Sequence, residues 1–162
     1  MRRPTPGTDN RVLLVCRLLN RHRARYVLAG GVAANLHGSV RATKDVDILV
    51  PADAANMARV LAALSELPYG IARELDAEEI ARNPITIVGD DPRVDVLTVA
   101  WTVTFDRAWK KRLVRRILGT RVPYLGRDDL IASKQTGRAR DQADLEQLNA
   151  LPARERVHRR RR

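Results

Sequence analysis

Apolar residues recur at helical spacing near the start of the chain. Val12, Val15, Cys16 and Leu19 fall at i, i+3, i+4 and i+7, with Thr8 or Asp9 placed to cap the helix. Residues 26–29 form a short apolar run that stops at Gly30-Gly31, the pattern of a strand ending in a glycine turn. Residues 32–36 read as a short helix closed by Gly38, with His37 in the last turn where the helix dipole suits a cation. A second strand is expected over 43–50, closed by Pro51. Asp53 then caps a helix with Met57, Val60, Leu61 and Leu64 on one face, and Pro68 stops it. Asp76 with Glu79 forms a capping box for a short helix before Asn83-Pro84.

The second half changes rhythm. Residues 85–88 and 93–99 read as a hairpin across Gly89-Asp90-Asp91-Pro92. Residues 104–112 suit a helix with Phe105 and Trp109 on one side as core anchors. A further hairpin is expected over 115–118 and 121–125, joined at Gly119-Thr120. Helices over 128–136 and 140–151 close the body, the second with Asp144, Leu145 and Leu148 at helical intervals. The expected fold class is α/β (α+β), a mixed β-sheet flanked by helices with further helices at the C-terminal end. One domain over 9–151 is expected, between flexible Arg-rich termini at 1–8 and 152–162.

Composition narrows the function classes. The 162 residues are 44% hydrophobic and 30% charged, which argues for a folded domain rather than a disordered chain. Cys16 is the sole cysteine, so internal disulfides and cysteine-based zinc sites are excluded, and its place on an apolar stripe marks a core thiol. No apolar run has the length of a membrane span, and none of signal-peptide length follows Met1-Arg2-Arg3-Pro4, so the cytoplasm is the expected compartment. The net charge is +11, from 26 Arg and 4 Lys against 19 acids. The last ten residues hold six Arg and one Glu, and so supply +5 of it. The remaining body is still basic, which suits an anionic partner such as RNA, a nucleotide or an acidic antidote protein. Aromatics at 4% leave few stacking platforms for single strands.

The most chemical stretch runs from Gly30 to Val50. On a strand Asp45 and Asp47 share one face while Val46, Ile48 and Val50 take the other, and Arg41 and Thr43 join the acids if the strand reaches that far. Two carboxylates so placed repel unless a cation lies between them, and hard oxygen donors suit Mg²⁺. With 13 aspartates in the chain, a single Asp-x-Asp is expected by chance, so the spacing alone carries no weight. Context gives it weight: aspartate is depleted in strands, and a third acid, Asp95, lies in the apolar run Arg93-Val94-Asp95-Val96-Leu97. If the two strands are neighbours, three carboxylates meet at one edge of the sheet. The glycine pair lets backbone N–H groups come close to a phosphate.

Gly-Gly, then Arg-x-Thr-x-Asp-x-Asp before apolar residues, then a third strand-borne Asp, resembles the nucleotidyltransferase superfamily that includes DNA polymerase β. The run Asp129 to Lys134, followed by Gly137-Arg138-Ala139-Arg140-Asp141-Gln142-Ala143-Asp144-Leu145, resembles the C-terminal motifs of AbiEii-type toxin nucleotidyltransferases. One position departs: Val32 follows the glycines where many active members carry Ser or Thr. The resemblance implies a nucleotidyltransferase-like fold and transfer of an NMP from an NTP to a hydroxyl. By the same resemblance Asp45, Asp47 and Asp95 would hold two Mg²⁺ ions. Gly30 and Gly31 would face the phosphates, with Arg41, Thr43 and Lys134 around the nucleotide. Asp141 would orient Lys134 or an arginine, or act on the acceptor. An RNA acceptor such as a tRNA end, and an antitoxin protein as partner, also follow from it. A protein side chain or a small antibiotic remains open as acceptor.

Two further readings stand beside the enzyme. A non-catalytic member of the fold would bind a nucleotide or protein partner without turnover. An Arg-rich nucleic-acid-binding domain would carry its acids as ordinary surface charges and bind in a steeply salt-dependent way.

Overall fold

A mixed sheet of six strands, flanked by helices, carries the fold. The computed structural model describes residues 10–40 and 42–151; the expected caps Thr8 and Asp9, Arg41, and both Arg-rich termini lie outside the described residues. In chain order come α1 (Asn10–Arg21), β1 (Val27–Leu28), α2 (Gly30–Leu36), β2 (Val46–Leu49) and α3 (Ala54–Leu64). A 3₁₀ turn (Ile71–Glu74), α4 (Ala77–Ala81), β3 (Ile85–Val88), β4 (Val94–Leu97), β5 (Val99–Ala100) and β6 (Val103–Thr104) follow. The chain closes with α5 (Phe105–Lys111), β7 (Leu113–Ile117), β8 (Thr120–Tyr124), α6 (Arg127–Ser133) and α7 (Ala139–Ala150). The spatial order is β3-β4-β2-β1-β8-β7, with β2 parallel to β4 and β1 parallel to β8. The other pairs are antiparallel, and β5 with β6 forms a separate two-stranded ribbon. The α+β expectation therefore holds.

The apolar stripe of α1 is wider than four positions, because Leu13 and Leu18 are buried beside Val12, Val15, Cys16 and Leu19. It packs on α3 and β8. Cys16 is fully enclosed, and burial pushes its thiol up to about 12, so it serves as a small core side chain. Asp53 caps α3 as expected, accepting from the Asn56 N–H at 2.7 Å. The buried Asn56 side chain then turns to the strand entry: its Oδ1 accepts from the Arg25 N–H at 2.7 Å, and its Nδ2 donates to the Arg25 carbonyl at 3.0 Å. That pair of bonds fixes α3 against the start of β1. Asp76 caps α4 by accepting from the Glu78 N–H.

Several boundaries differ from expectation. β2 starts at Val46, whose N–H donates to the Arg93 carbonyl, so Thr43 and Asp45 precede the strand instead of lying on it. α2 starts at Gly30, which takes φ +58°, so the glycine pair forms its first turn rather than a loop ahead of it. His37 caps the end of α2, but its Nε2 donates to the Leu125 carbonyl at 2.7 Å, so the ring joins α2 to the end of β8. The 93–99 run breaks at Thr98, whose N–H and hydroxyl donate to the Pro84 and Asn83 carbonyls, and Val99 turns away into the ribbon. The second hairpin turns at Leu118-Gly119, both at positive φ as a primed two-residue turn requires, so its strands start earlier than expected. The closing helices likewise begin one residue sooner, at Arg127 and Ala139. Among the described residues no helix is long and apolar enough to cross a membrane.

Truncating Asn56 to Ala strips the Arg25 N–H and carbonyl of their buried partners and is expected to cost about 1–3 kcal/mol in urea unfolding. A loss below about 0.5 kcal/mol would show that water replaces both bonds and that the strand entry is not fixed by this side chain.

Candidate active site

The parallel pairing of β2 with β4 decides what the acids can do. The register sets Asp47 directly opposite Asp95, so two carboxylates from distant parts of the chain stand side by side on one face. Asp45 lies just before β2, level with Arg93 just before β4, and all four side chains line a cleft of about 350 Å³. Asp47 is the most perturbed: burial pushes its carboxyl up to about 6, the charges of Asp95 and Asp45 add to the rise, and Lys134 opposes it.

A guanidinium answers part of this repulsion. Arg93 Nε donates to Asp95 Oδ1 at 2.9 Å and its Nη2 to Oδ2 at 3.2 Å, a two-pronged contact, while Nε lies 3.8 Å from Asp45. Arg93 was not expected as a site residue. The usable signal was its place two residues before Asp95, the spacing that puts alternate strand side chains on one face.

The glycine pair closes the cleft from the α2 side. A Cβ on Gly30 would come within 1.9 Å of Asp47 Oδ2, and one on Gly31 within 3.1 Å of the Thr43 side chain. Only a residue without a side chain lets α2 begin against the carboxylate, and the left-handed φ of Gly30 adds the same demand. Thr43 lines the cleft, and its hydroxyl donates to the Asp45 carbonyl, shaping the loop that delivers the acids. Val32, by contrast, is fully buried in the core.

The opposite wall is basic. Lys134, at the end of α6, is buried, and its Nζ donates to Asp144 Oδ2 of α7 at 2.7 Å. Asp141 lies one turn earlier on α7 and accepts from Arg138 Nε at 2.9 Å and from the Thr136 hydroxyl. Lys134 is oriented by Asp144, and Asp141 forms the i, i+3 ion pair with the exposed Arg138 that helix spacing alone also provides. Asp144 was legible as the second acid of the 140–145 motif and as a carboxylate four residues before the buried Leu148, but with no role assigned to it. Arg138 and Arg140 also line the cleft.

The structure thus gathers Asp45, Asp47, Asp95, Gly30, Gly31, Thr43, Lys134 and Asp141 around one cavity. Arg41 lies outside the described residues. Carboxylates and cations are interleaved around the cleft, with Arg93, Lys134 and Arg138 each paired to an acid, an arrangement that can take a polyanionic ligand together with a divalent metal. Among the described residues no group of three or more His, Cys, Asp or Glu side chains is placed to hold a metal ion. No protein-family model matches the chain, and no curated protein matches it.

Two outcomes follow from this geometry. A carboxyl whose pKa is higher folded than unfolded binds its proton more tightly in the native state. Its ionisation therefore removes stability as pH rises from the unfolded value near 3.8 to about 6. Asp47→Asn, in chelator and without metal, is expected to flatten that fall and stabilise the protein at pH 7.5 by on the order of 1–3 kcal/mol, read by urea unfolding across pH 4–8. Parallel pH profiles for variant and parent would contradict a buried Asp47 carboxyl with acids beside it.

Gly30→Ala is expected to destabilise by about 2 kcal/mol or more, through its positive φ and the Asp47 clash, and Gly31→Ala by clearly less. Equal losses on thermal melting would mean that α2 does not begin against the carboxylate.

Proposed function

We propose that this protein is a metal-dependent nucleotidyltransferase that moves an NMP from an NTP to a hydroxyl acceptor. The observation that carries the reading is the Asp47–Asp95 cross-strand pair, with Asp45 at its mouth, facing Gly30-Gly31 and Lys134 across one cleft. The resemblance of residues 30–50 and 129–145 to nucleotidyltransferase motifs supports it independently.

The donor set suits a divalent cation. Asp95 and Asp45 add their charges to the burial that raises the Asp47 carboxyl to about 6, and a cation placed among them would lower it. Asp45, Asp47 and Asp95 would hold Mg²⁺, which when bound supplies charge neutralisation for the triphosphate and for the attacking oxygen. Arg93 has to release Asp95 for this, and its exposed side chain has room to swing aside while keeping its charge near the phosphates.

The chain's own residues provide the rest. Lys134, held in place by Asp144, reaches the cleft as a fixed ammonium, and Arg138 and Arg140 extend that charge along the rim. The start of α2 offers backbone N–H groups with no capping side chain to occupy them. In the reaction the acceptor oxygen bonds to the α-phosphorus, the bond from that phosphorus to the pyrophosphate oxygen breaks, and the acceptor proton leaves to solvent or a carboxylate. An RNA end as acceptor and an antitoxin as partner fit the basic charge and the motif at 129–145, and the cytoplasm is the fitting compartment.

One observation favours a second reading. The two-pronged Arg93–Asp95 contact already pairs one of the three carboxylates without a metal, as a nucleotide-binding protein without turnover would allow.

Label transfer separates the two. Purified protein with Mg²⁺, each α-labelled NTP, and total RNA or cell protein is expected to transfer label, and Asp47→Asn or Asp95→Asn to lower the rate at least about 100-fold. Mg²⁺ is also expected to raise the melting temperature of the parent but not of Asp47→Asn at pH 7.5. A folded parent that transfers no label to any fraction, and whose melting Mg²⁺ leaves unchanged, contradicts the enzyme.

A further inference from the structure

One wall of the cleft is neither acidic nor basic. Beyond Asp95 on β4 the same face carries Leu97, and the β3 residue paired with it is Ile85, half exposed. Val99, Ala100 and Trp101 continue this wall along the β5–β6 ribbon, so every side chain on it is apolar or aromatic. Trp101 is 58% exposed to solvent, although a large indole gains most by burial.

Its backbone is as unusual as its exposure. The register pairs Ala100 with Val103, so Trp101 and Thr102 are the two loop residues of the ribbon. Trp101 sits at the first of them with φ +57°, a conformation that turns reserve for Gly, Asn or Asp and that a bulky side chain adopts under strain. An exposed aromatic kept at a strained turn contributes little to the core. Strain of this kind concentrates at ligand clamps. Phe105, Tyr26 and Tyr124 are packed into the core, Trp109 stacks on Phe105 under the Arg112 guanidinium, and the exposed Tyr69 does not line the cleft. Trp101 is the aromatic that lines the cleft.

We propose that Trp101, with Ile85, Leu97 and Val99, is the ledge on which the nucleotide's base stacks, and that it selects purine over pyrimidine nucleotides while distinguishing adenine from guanine weakly. The proposal rests on the nucleotidyltransferase reading and extends it to substrate class. The ledge begins two residues along β4 from Asp95, on the same face, so a nucleotide whose phosphates lie among the acids and Lys134 carries its base toward the indole. A purine covers more of an indole than a pyrimidine does. Ile85, Leu97 and Val99 have no donor or acceptor and the indole has a single N–H at its edge, so the ledge rewards overlap and reads little of the base-edge hydrogen-bond pattern.

The test is nucleotide binding with Mg²⁺ by calorimetry, using ATP, GTP, UTP and inorganic tripolyphosphate, which has the phosphates without a base. Tryptophan fluorescence is read in a Trp109→Phe background, where Trp101 is the sole tryptophan. ATP and GTP are expected to bind within about threefold of each other, both tighter than UTP, and to quench Trp101, while tripolyphosphate binds without quenching. Trp101→Ala is expected to weaken ATP about tenfold or more, Trp101→Phe to retain most of the affinity, and neither to alter tripolyphosphate binding.

Trp101→Gly separates a ligand role from a structural one. Glycine takes φ +57° freely, so this variant melts no lower than Trp101→Ala and still loses ATP. If ATP and tripolyphosphate bind the parent equally and Trp101→Ala alters neither, or if UTP binds as tightly as ATP, the ledge is overturned while the transferase reading stands. If the parent binds none of the four, both fall together.

Discussion

Like charges do not share a sheet face unless something nearby makes their company tolerable, and the β2–β4 pairing forces that condition here. The two strands run parallel in a register that sets Asp47 against Asp95, with hydrophobic partners on the other positions of both strands. Shifting one strand by one residue would separate the acids, but it would also turn that strand's apolar residues, Val46 and Ile48 or Val94 and Val96, out of the core. The apolar residues therefore hold the carboxylates together against their repulsion. Burial of those side chains supplies a free energy larger than the electrostatic cost, and the raised pKa of Asp47 records its own burial first and the neighbouring charges of Asp95 and Asp45 second.

Every charged neighbour of the cleft reads as a response to that constraint. Arg93 sits level with Asp45 and forks onto Asp95, exposed enough to leave when another cation arrives. Lys134 comes from the far end of the chain and is kept in reach by Asp144, a buried pair in which neither charge is left alone. A buried pair of this kind adds little net stability, so its value lies in fixing where the ammonium points. Gly30 yields the volume that Asp47 occupies, and α2 begins where a side chain would have pushed the acid away.

Much of this was legible in the sequence, because acids inside β-branched runs break the pattern that strand burial imposes. Asp45, Asp47 and Asp95 stood out for that reason, and the order of strands and helices followed from alternation, caps and turn residues. What escaped depended on contacts distant in the chain. The start of β2 at Val46 is set by the Arg93 carbonyl, 47 residues on, and nothing local marks it. Helix α2 starts at Gly30 without a capping side chain, so the usual signal was missing. Arg93 was one arginine among 26, and Asp144 acquires its meaning only when α7 docks beside Lys134. Trp101 lies in a turn, where a bulky residue at positive φ contradicts the residue preferences from which turns are read.

Whether the buried carboxylates call for a cation is read most directly from the titration of the Asp47 side-chain carboxyl by carbon NMR. In metal-free protein it should titrate near pH 6, and Mg²⁺ should move that midpoint down by a unit or more, on the order of what a bound divalent charge imposes. A midpoint near the ordinary 3.8 that Mg²⁺ does not shift would mean that the three acids neither crowd one another nor hold a metal.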